Sequence, residues 1–316
     1  MQFRALLVGD VVGKPGRKTV RSALPDLLAV HSVDVVIVNA ENAAGGSGIT
    51  PPIFKELRDQ GVDVVTMGDH VYRRKEIVPT LEASDRILRP ANLPAEAAGC
   101  GWAVHESRSG LPFAVTIVLG RTFMKPASCP FHSVDAVLEE VSDAARLIFV
   151  EVHAEATSDR IAMGWYLDGR ATCVYGSHTH VQTADERVLP GGTAYISDLG
   201  MTGPHDGVLG RRRDRVIPTL ITGMPRHFDV ATGDLRLHGA LVTADTETGR
   251  ATDIQRIAAA VETDTGEGKE KGEEEGEGKA AAEKDAKAKE RSATPTEQGT
   301  ASSGGTEEAK IDGGAG

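Results

Sequence analysis

Aromatic residues are scarce in this chain, with seven Phe, four Tyr and two Trp in 316 residues. Any core must therefore rest on Val, Ile, Leu and Ala. Cysteine is scarcer still. Cys100, Cys129 and Cys173 are widely spaced and form no CxxC pair. That excludes a disulfide framework and a zinc knuckle, and leaves buried, reduced thiols as the expectation. Apolar stretches of transmembrane length are missing, and no signal peptide precedes the strand-like start at Phe3. A cytoplasmic protein is expected. An excess of positive charge is missing as well, since the formal net charge is −11. No stable DNA binding is expected from such a surface. A small anionic substrate is not excluded, because bound cations reverse the local field.

The last part of the chain lacks nearly everything a core needs. After Val261 the only large aliphatic residue is Ile311, and there is no aromatic. Residues 262–316 carry 15 acidic and 8 basic residues, so most of the net negative charge lies there. A segment of this composition cannot bury enough apolar area to offset chain entropy. The expected division is a folded domain over residues 1–260 and a disordered acidic tail over residues 261–316.

What the chain does have is a series of apolar, β-like runs that end in polar residues. Phe3 to Val8 closes on Gly9-Asp10, and Val33 to Val38 closes on Asn39-Ala40-Glu41-Asn42. Val62 to Met67 closes on Gly68-Asp69-His70, and Ile148 to Val152 closes on His153. Ala171 to Tyr175 closes on Gly176-Ser177-His178-Thr179-His180. Helical spacing is expected over Lys18 to Val30, with a kink or break at Pro25. Further helices are expected over Ile53 to Gln60, Glu76 to Glu82, Val134 to Leu147 and Ala154 to Met163. Trp102 to His105 and Pro112 to Leu119 read as strands. Phe228 to Val230 and Leu235 to Val242 flank a hairpin-like Ala231-Thr232-Gly233-Asp234. Early β-α-β alternation and a more antiparallel second half suggest a mixed sheet, or two stacked sheets covered by helices.

In such α/β folds, sites lie beyond the carboxyl ends of strands. The polar residues there are carboxylates, an amide and imidazoles, a donor set that suits iron, manganese or zinc. Glu41 closes an apolar strand, where a lone carboxylate would be costly. His178 and His180 straddle one residue, so on an extended chain both rings face one side. A phosphate loop at Gly9 is excluded. Only three residues separate Gly9 from Gly13, and Pro15 stands where a hydroxyl is required.

Several longer motifs accompany these donors. They include Gly9-Asp10-Val11-Val12-Gly13, Asn39-Ala40-Glu41-Asn42-Ala43, Arg89-Pro90-Ala91-Asn92, His153-Ala154-Glu155-Ala156-Thr157-Ser158, Gly176-Ser177-His178-Thr179-His180 and Asp198-Leu199-Gly200-Met201-Thr202-Gly203-Pro204. Together they resemble the calcineurin-like metallophosphoesterases, and most closely the YmdB-like family, of 2′,3′-cyclic-nucleotide 2′-phosphodiesterase type. The resemblance runs from residue 1 to about residue 258 and implies an α/β metallophosphoesterase β-sandwich flanked by helices. It implies two metal ions, iron foremost with manganese or zinc as alternatives, and hydrolysis of 2′,3′-cyclic nucleotides or related phosphodiesters. Asp10, Glu41 and His180 would hold one metal. Glu41 would bridge to a second, held also by Asp69, His153 and His178. Asn42 would stand at the centre, and His70 would be the catalytic acid. The family's third segment normally reads Gly-Asn-His, whereas this chain has Gly68-Asp69-His70. Asp69 keeps an oxygen for the metal and loses an amide donor.

Two other readings stay open on sequence alone. One is a non-catalytic regulatory protein that retains the fold. The other is a metallophosphatase acting on monoesters or phosphoproteins. The chain is compatible with a homo-oligomer.

Overall fold

β1 (Gln2–Val8) and β3 (Val35–Asn39) show why this chain layers as it does. Both are apolar on two faces. Strand alternation sends Phe3, Ala5, Leu7, Val35 and Ile37 to one side and Leu6, Val8, Val36 and Val38 to the other. Each strand therefore needs a cover on both faces, as interior strands of parallel sheets do. The computed structural model, which describes residues 1–261, supplies these covers. The acidic tail expected over residues 261–316 lies, from residue 262 on, outside the described residues.

The first sheet joins β1 and β3 to β2 (Asp10–Val11), β4 (Val64–Thr66), β5 (Ile87–Leu88), β12 (Met201–Pro204) and β13 (Leu235–Asp245). Its order is β2-β12-β13-β1-β3-β4-β5, and β14 (Ala251–Ala260) pairs with β13. The second sheet contains β6 (Trp102–Glu106), β7 (Pro112–Leu119), β8 (Leu147–His153), β9 (Cys173–Ser177), β10 (Arg187–Val188) and β11 (Ala194–Ile196). Its order is β10-β11-β9-β8-β7-β6. The sheets stack through Phe3, Phe113, Phe149, Tyr175 and their aliphatic neighbours. Val20 and Leu24 of α1 (Gly13–His31) and Leu57 of α2 (Pro51–Asp59) cover the outer face of the first sheet, with Leu81 of α3 (Val78–Ala83). Val134 and Leu138 of α4 (Pro130–Val141) and Met163 of α5 (Thr157–Tyr166) cover the second. A fully buried aliphatic or Phe side chain stabilises by roughly 1.5–3 kcal/mol, so these three apolar layers dominate the energetics.

Several expectations change. α1 runs through Pro25 as one helix and begins at Gly13, so the Gly/Pro segment before residue 18 is mostly helical. The second half is less antiparallel than its patterning suggests. β7, β8, β9 and β11 are mutually parallel; α4 and α5 provide the crossovers from β7 to β8 and from β8 to β9, and the stretch that holds β10 leads from β9 to β11. The hairpin across Ala231–Asp234 does not form. Val230 makes one bridge with Arg211, and the long hairpin is instead β13 with β14. Its turn is set by Asp245, whose Oδ1 accepts from the Glu247 and Thr248 amides. α6 (Arg213–Thr222) and β12 have no counterpart in the sequence patterning. Only Cys173 is buried, where burial raises its thiol pKa; Cys100 is exposed.

Candidate metal centre

Parallel pairing of β1, β3 and β4 sets their carboxyl ends side by side, and β8 and β9 are parallel neighbours in the second sheet. Asp10, Glu41 and Asp69 follow the first three strands, while His153 ends β8 and His178 follows β9. The two groups meet. One donor atom each from Glu41, Asp69, His153 and His178 lies within 4.8 Å of all the others. His153 Nε2 is 3.3 Å from Glu41 Oε2 and 3.4 Å from Asp69 Oδ1. His178 Nδ1 is 3.1 Å from His153 Nε2. Asp10 is fully buried, and its Oδ2 accepts from the His178 amide at 3.2 Å. Glu41 Oε1 is 3.0 Å from His70 Nδ1, and Glu41 Oε2 accepts from the His70 amide at 3.1 Å. Asn42 joins the remaining pair: its Nδ2 is 3.1 Å from His70 Nδ1 and its Oδ1 is 3.2 Å from His180 Nε2. All eight candidate residues thus belong to one connected cluster.

This cluster fits a cation. Asp10 Oδ1 and Asp69 Oδ1 are buried oxygens without a hydrogen-bond partner, which is costly in a protein interior unless something positive meets them. Three carboxylates gather here, and His153 is the fully buried imidazole set against Glu41 and Asp69. Burial pushes the Asp10 carboxyl well above its usual range; Asp198, Glu41 and Glu151 push the same way against the opposing His153. For Glu41 burial also raises, but His153 and His70 outweigh it and hold the carboxyl well below its usual range. His153 is the counterpart. Burial lowers its pKa, yet Glu41 and Asp69 carry it well above the usual imidazole value. Burial and the neighbouring His153 lower His178. Burial lowers His180.

Gly68 is required by space. A Cβ there would sit 2.3 Å from both Glu41 Oε2 and His153 Nε2. The backbone between β4 and Asp69 thus packs directly against two donors, where any side chain would displace them.

The His-Thr-His segment differs from the extended chain that its spacing suggests. β9 stops at Ser177, and His178 and His180 take φ of 97° and 63°, in the left-handed region. Such conformations cost about 1–3 kcal/mol each and persist only when surroundings enforce them. The bend sends the two rings in different directions. His178 Nδ1 turns to His153 and its Nε2 to Glu155 at 3.1 Å. His180 Nδ1 meets the Leu209 carbonyl at 3.2 Å and its Nε2 meets Asn42.

Beneath the donors lies a layer that the strand-end pattern does not announce. Glu151 is fully buried inside the apolar β8 run. It accepts from Asn39 Nδ2 at 2.6 Å, Thr66 Oγ1 at 2.5 Å and Ser177 Oγ at 2.6 Å. Ser177 spends its only proton on Glu151, so its oxygen accepts from His153 Nδ1 at 2.9 Å. That fixes His153 with Nε2 toward the cluster, the orienting role outer partners play for metal-bound imidazoles. The signal was present, since a charged residue two places before His153 shares its face of the strand. A second pair, Arg160 with Asp198 at 2.9 Å, is also fully buried. Asp198 Oδ2 accepts from Thr179 Oγ1 at 2.7 Å and so braces the bend between the two histidines.

The sequence profile of the YmdB-like protein family matches residues 6–257. A Bacillus subtilis (strain 168) protein named 2′,3′-cyclic-nucleotide 2′-phosphodiesterase is 44% identical over 255 residues, covering 81% of this chain and 96% of that protein. A crystal structure of a hypothetical protein from Thermus thermophilus superposes with a TM-score of 0.76 at 39% identity, covering 82% of this chain and 99% of that one. A crystal structure described as a novel phosphatase from Mycoplasma pneumoniae gives a TM-score of 0.77 at 31% identity, covering 82% and 94%. Among the described residues no helix is long and apolar enough to cross a membrane. The match over most of the chain, together with the carboxylate and imidazole cluster at the strand ends, makes this protein a member of the YmdB-like family.

Proposed function

We propose that this protein is a metal-dependent phosphodiesterase that hydrolyses 2′,3′-cyclic nucleotides or related phosphodiesters. The observation that carries this reading is the convergence of Glu41, Asp69, His153 and His178 within 4.8 Å, beside buried, unpartnered carboxylate oxygens. The name of the Bacillus subtilis relative supports the substrate class. Glu41, Asp69, His153 and His178 would hold one metal, and Asp10, Glu41 and His180 a second, with Asn42 at the centre. When bound, such a metal pair supplies an activated water and neutralises phosphoryl charge. Iron is the first choice and manganese or zinc the alternatives, given the mixed oxygen and nitrogen donors.

The chain's own groups do the rest. Glu41 Oε1 holds His70 by Nδ1 and leaves Nε2 to give a proton to the departing ribose oxygen. The Leu209 carbonyl accepts from His180 Nδ1 and so leaves Nε2, beside Asn42, as the nitrogen that would meet a metal. Ser177 and Glu151 keep His153 turned inward. We assign these roles to residues 1–260 of a cytoplasmic protein.

The test pairs elemental analysis of freshly purified protein with hydrolysis of 2′,3′-cyclic AMP. Glu41→Gln should remove most activity and lower metal content. Wild-type turnover by the metal-loaded variant would remove Glu41 from the centre. The phosphatase description of the Mycoplasma pneumoniae structure favours a second reading, monoester hydrolysis. A monoester assayed in parallel separates the two.

A further inference from the structure

We propose that the cleft beside Asp69 is the subsite that takes the nucleoside half of the substrate. This rests on the hydrolase reading and adds where base and ribose sit. The cleft has a volume of about 330 Å3 and is lined in part by Gly68 and Asp69, so it adjoins the metal cluster. Its walls are Tyr72, Leu93, Leu119 and Pro126, with Arg73 and Lys125 among them. That is a largely apolar space with two cations, matched to a heteroaromatic base on an anionic ester. Lys125 Nζ lies 3.8 Å from Asp69 Oδ2, at the side of the cleft that borders the metal cluster. The volume lies just above the roughly 300 Å3 lower limit for small-molecule sites, enough for a mononucleoside. Three other clefts among the described residues lie around Tyr166, Thr246 and Gln60, and none is lined by a residue of the metal centre.

The walls are built, not incidental. The Arg89-Pro90-Ala91-Asn92 motif contributes nothing to the metal cluster, yet Arg89 and Asn92 are both buried. Asn92 clamps Leu119 by accepting from its amide at 2.8 Å and donating to its carbonyl at 2.9 Å. The same side-chain amide donates to the Ser128 carbonyl at 3.1 Å, tying down the far end of the segment that carries Lys125 and Pro126. Arg89 donates to the carbonyls of Ala97, Gly99 and Pro90. Tyr72 donates its hydroxyl to the Ala98 carbonyl at 2.6 Å. The motif therefore fixes both walls of one slot.

The experiment compares 2′,3′-cyclic AMP with ribose 2′,3′-cyclic phosphate, the same ester without a base, on the metal-loaded full chain. Leu93→Trp fills the slot from one wall and Pro126→Trp from the other. Each should lower the ratio of kcat/KM for the two esters by at least about tenfold, through KM for the nucleotide. Binding of adenosine, followed by ligand-observed NMR, should be lost in both. Pro126 is exposed, so its variant carries the test if Leu93→Trp fails to fold. An unchanged ratio in the folded variants overturns the proposal. If wild type turns over neither ester, the hydrolase reading fails and adenosine binding decides the subsite. Binding by wild type that both substitutions abolish supports it, and equal or absent binding overturns it.

Discussion

Replacing Gly68 by Ala tests the metal centre at its tightest point. The added methyl carbon would lie 2.3 Å from Glu41 Oε2, 2.3 Å from His153 Nε2 and 2.4 Å from His153 Cδ2. Ordinary contacts fall near about 3.5 Å, so these groups must yield by about 1 Å. Neither has room. His153 is fully buried and held by Ser177, and Glu41 is fully buried and held by His70. Overpacking of this kind costs about 1–3 kcal/mol. The effect on metal is larger, because donor distances tolerate only about 0.2 Å. Losing an outer partner of a metal ligand already costs about 10–100-fold in affinity, and displacing two donors should reach at least the upper end of that range. The assay is calorimetric titration of metal-free protein with Mn2+ or Zn2+, beside thermal melting in chelator. If Gly68→Ala binds metal as tightly as wild type and melts at the same temperature, the packing reasoning is refuted.

Three further outcomes follow from the same geometry. Ser177→Ala removes the acceptor that orients His153, so metal affinity should fall about 10–100-fold with the fold intact by circular dichroism; unchanged affinity would show that His153 is held by its ligand contacts alone. Asp10 keeps its proton in the metal-free folded protein to well above its ordinary 3.8, while the unfolded chain releases it near that value. Metal-free stability is therefore lost as pH rises through that window. Asp10→Asn should melt above wild type in chelator at neutral pH while retaining less metal, and a lower melting temperature would contradict this. Burial, with the His205 ring at 4.4 Å, holds His238 down to about 4. The unfolded chain protonates this histidine below its ordinary 6.5 and the folded one does not, so stability falls as pH drops from about 6.5 toward 4. Denaturant titrations of wild type and His238→Asn across that range should show a shallower pH dependence in the variant.

The strands that flank the site are legible because they are buried on both faces. β3 and β9 read as apolar runs, and so do β1 apart from Arg4 and β8 apart from Glu151; a run of that kind has few alternatives to an interior strand. β12 reads in sequence as part of a glycine-rich loop. Met201-Thr202-Gly203-Pro204 carries no period, and it becomes a strand only because β2 and β13 lie beside it. α6 is hidden for the opposite reason. Pro218 lies within it, a residue that argues against a helix interior, and Leu220 and Ile221 face outward, so no buried stripe marks it. Glu151 is legible as an anomaly in an apolar strand, but its partners Asn39, Thr66 and Ser177 come from three other strands.

The donors themselves were set by the sequence: which oxygens and imidazoles exist, and that each stands at the end of an apolar run. Side-chain chemistry and strand period are local properties, readable without a fold. Convergence is not local. Asn39 meets Glu151 across 112 positions of chain, and the His178 amide meets Asp10 across 168. Those contacts exist only once two separate sheets stack with their carboxyl ends at one edge. The backbone bend at His178 and His180, the inward face of His153 and the slot beside Asp69 were likewise decided by groups that meet only in the folded protein, where burial forces each polar atom to find a partner.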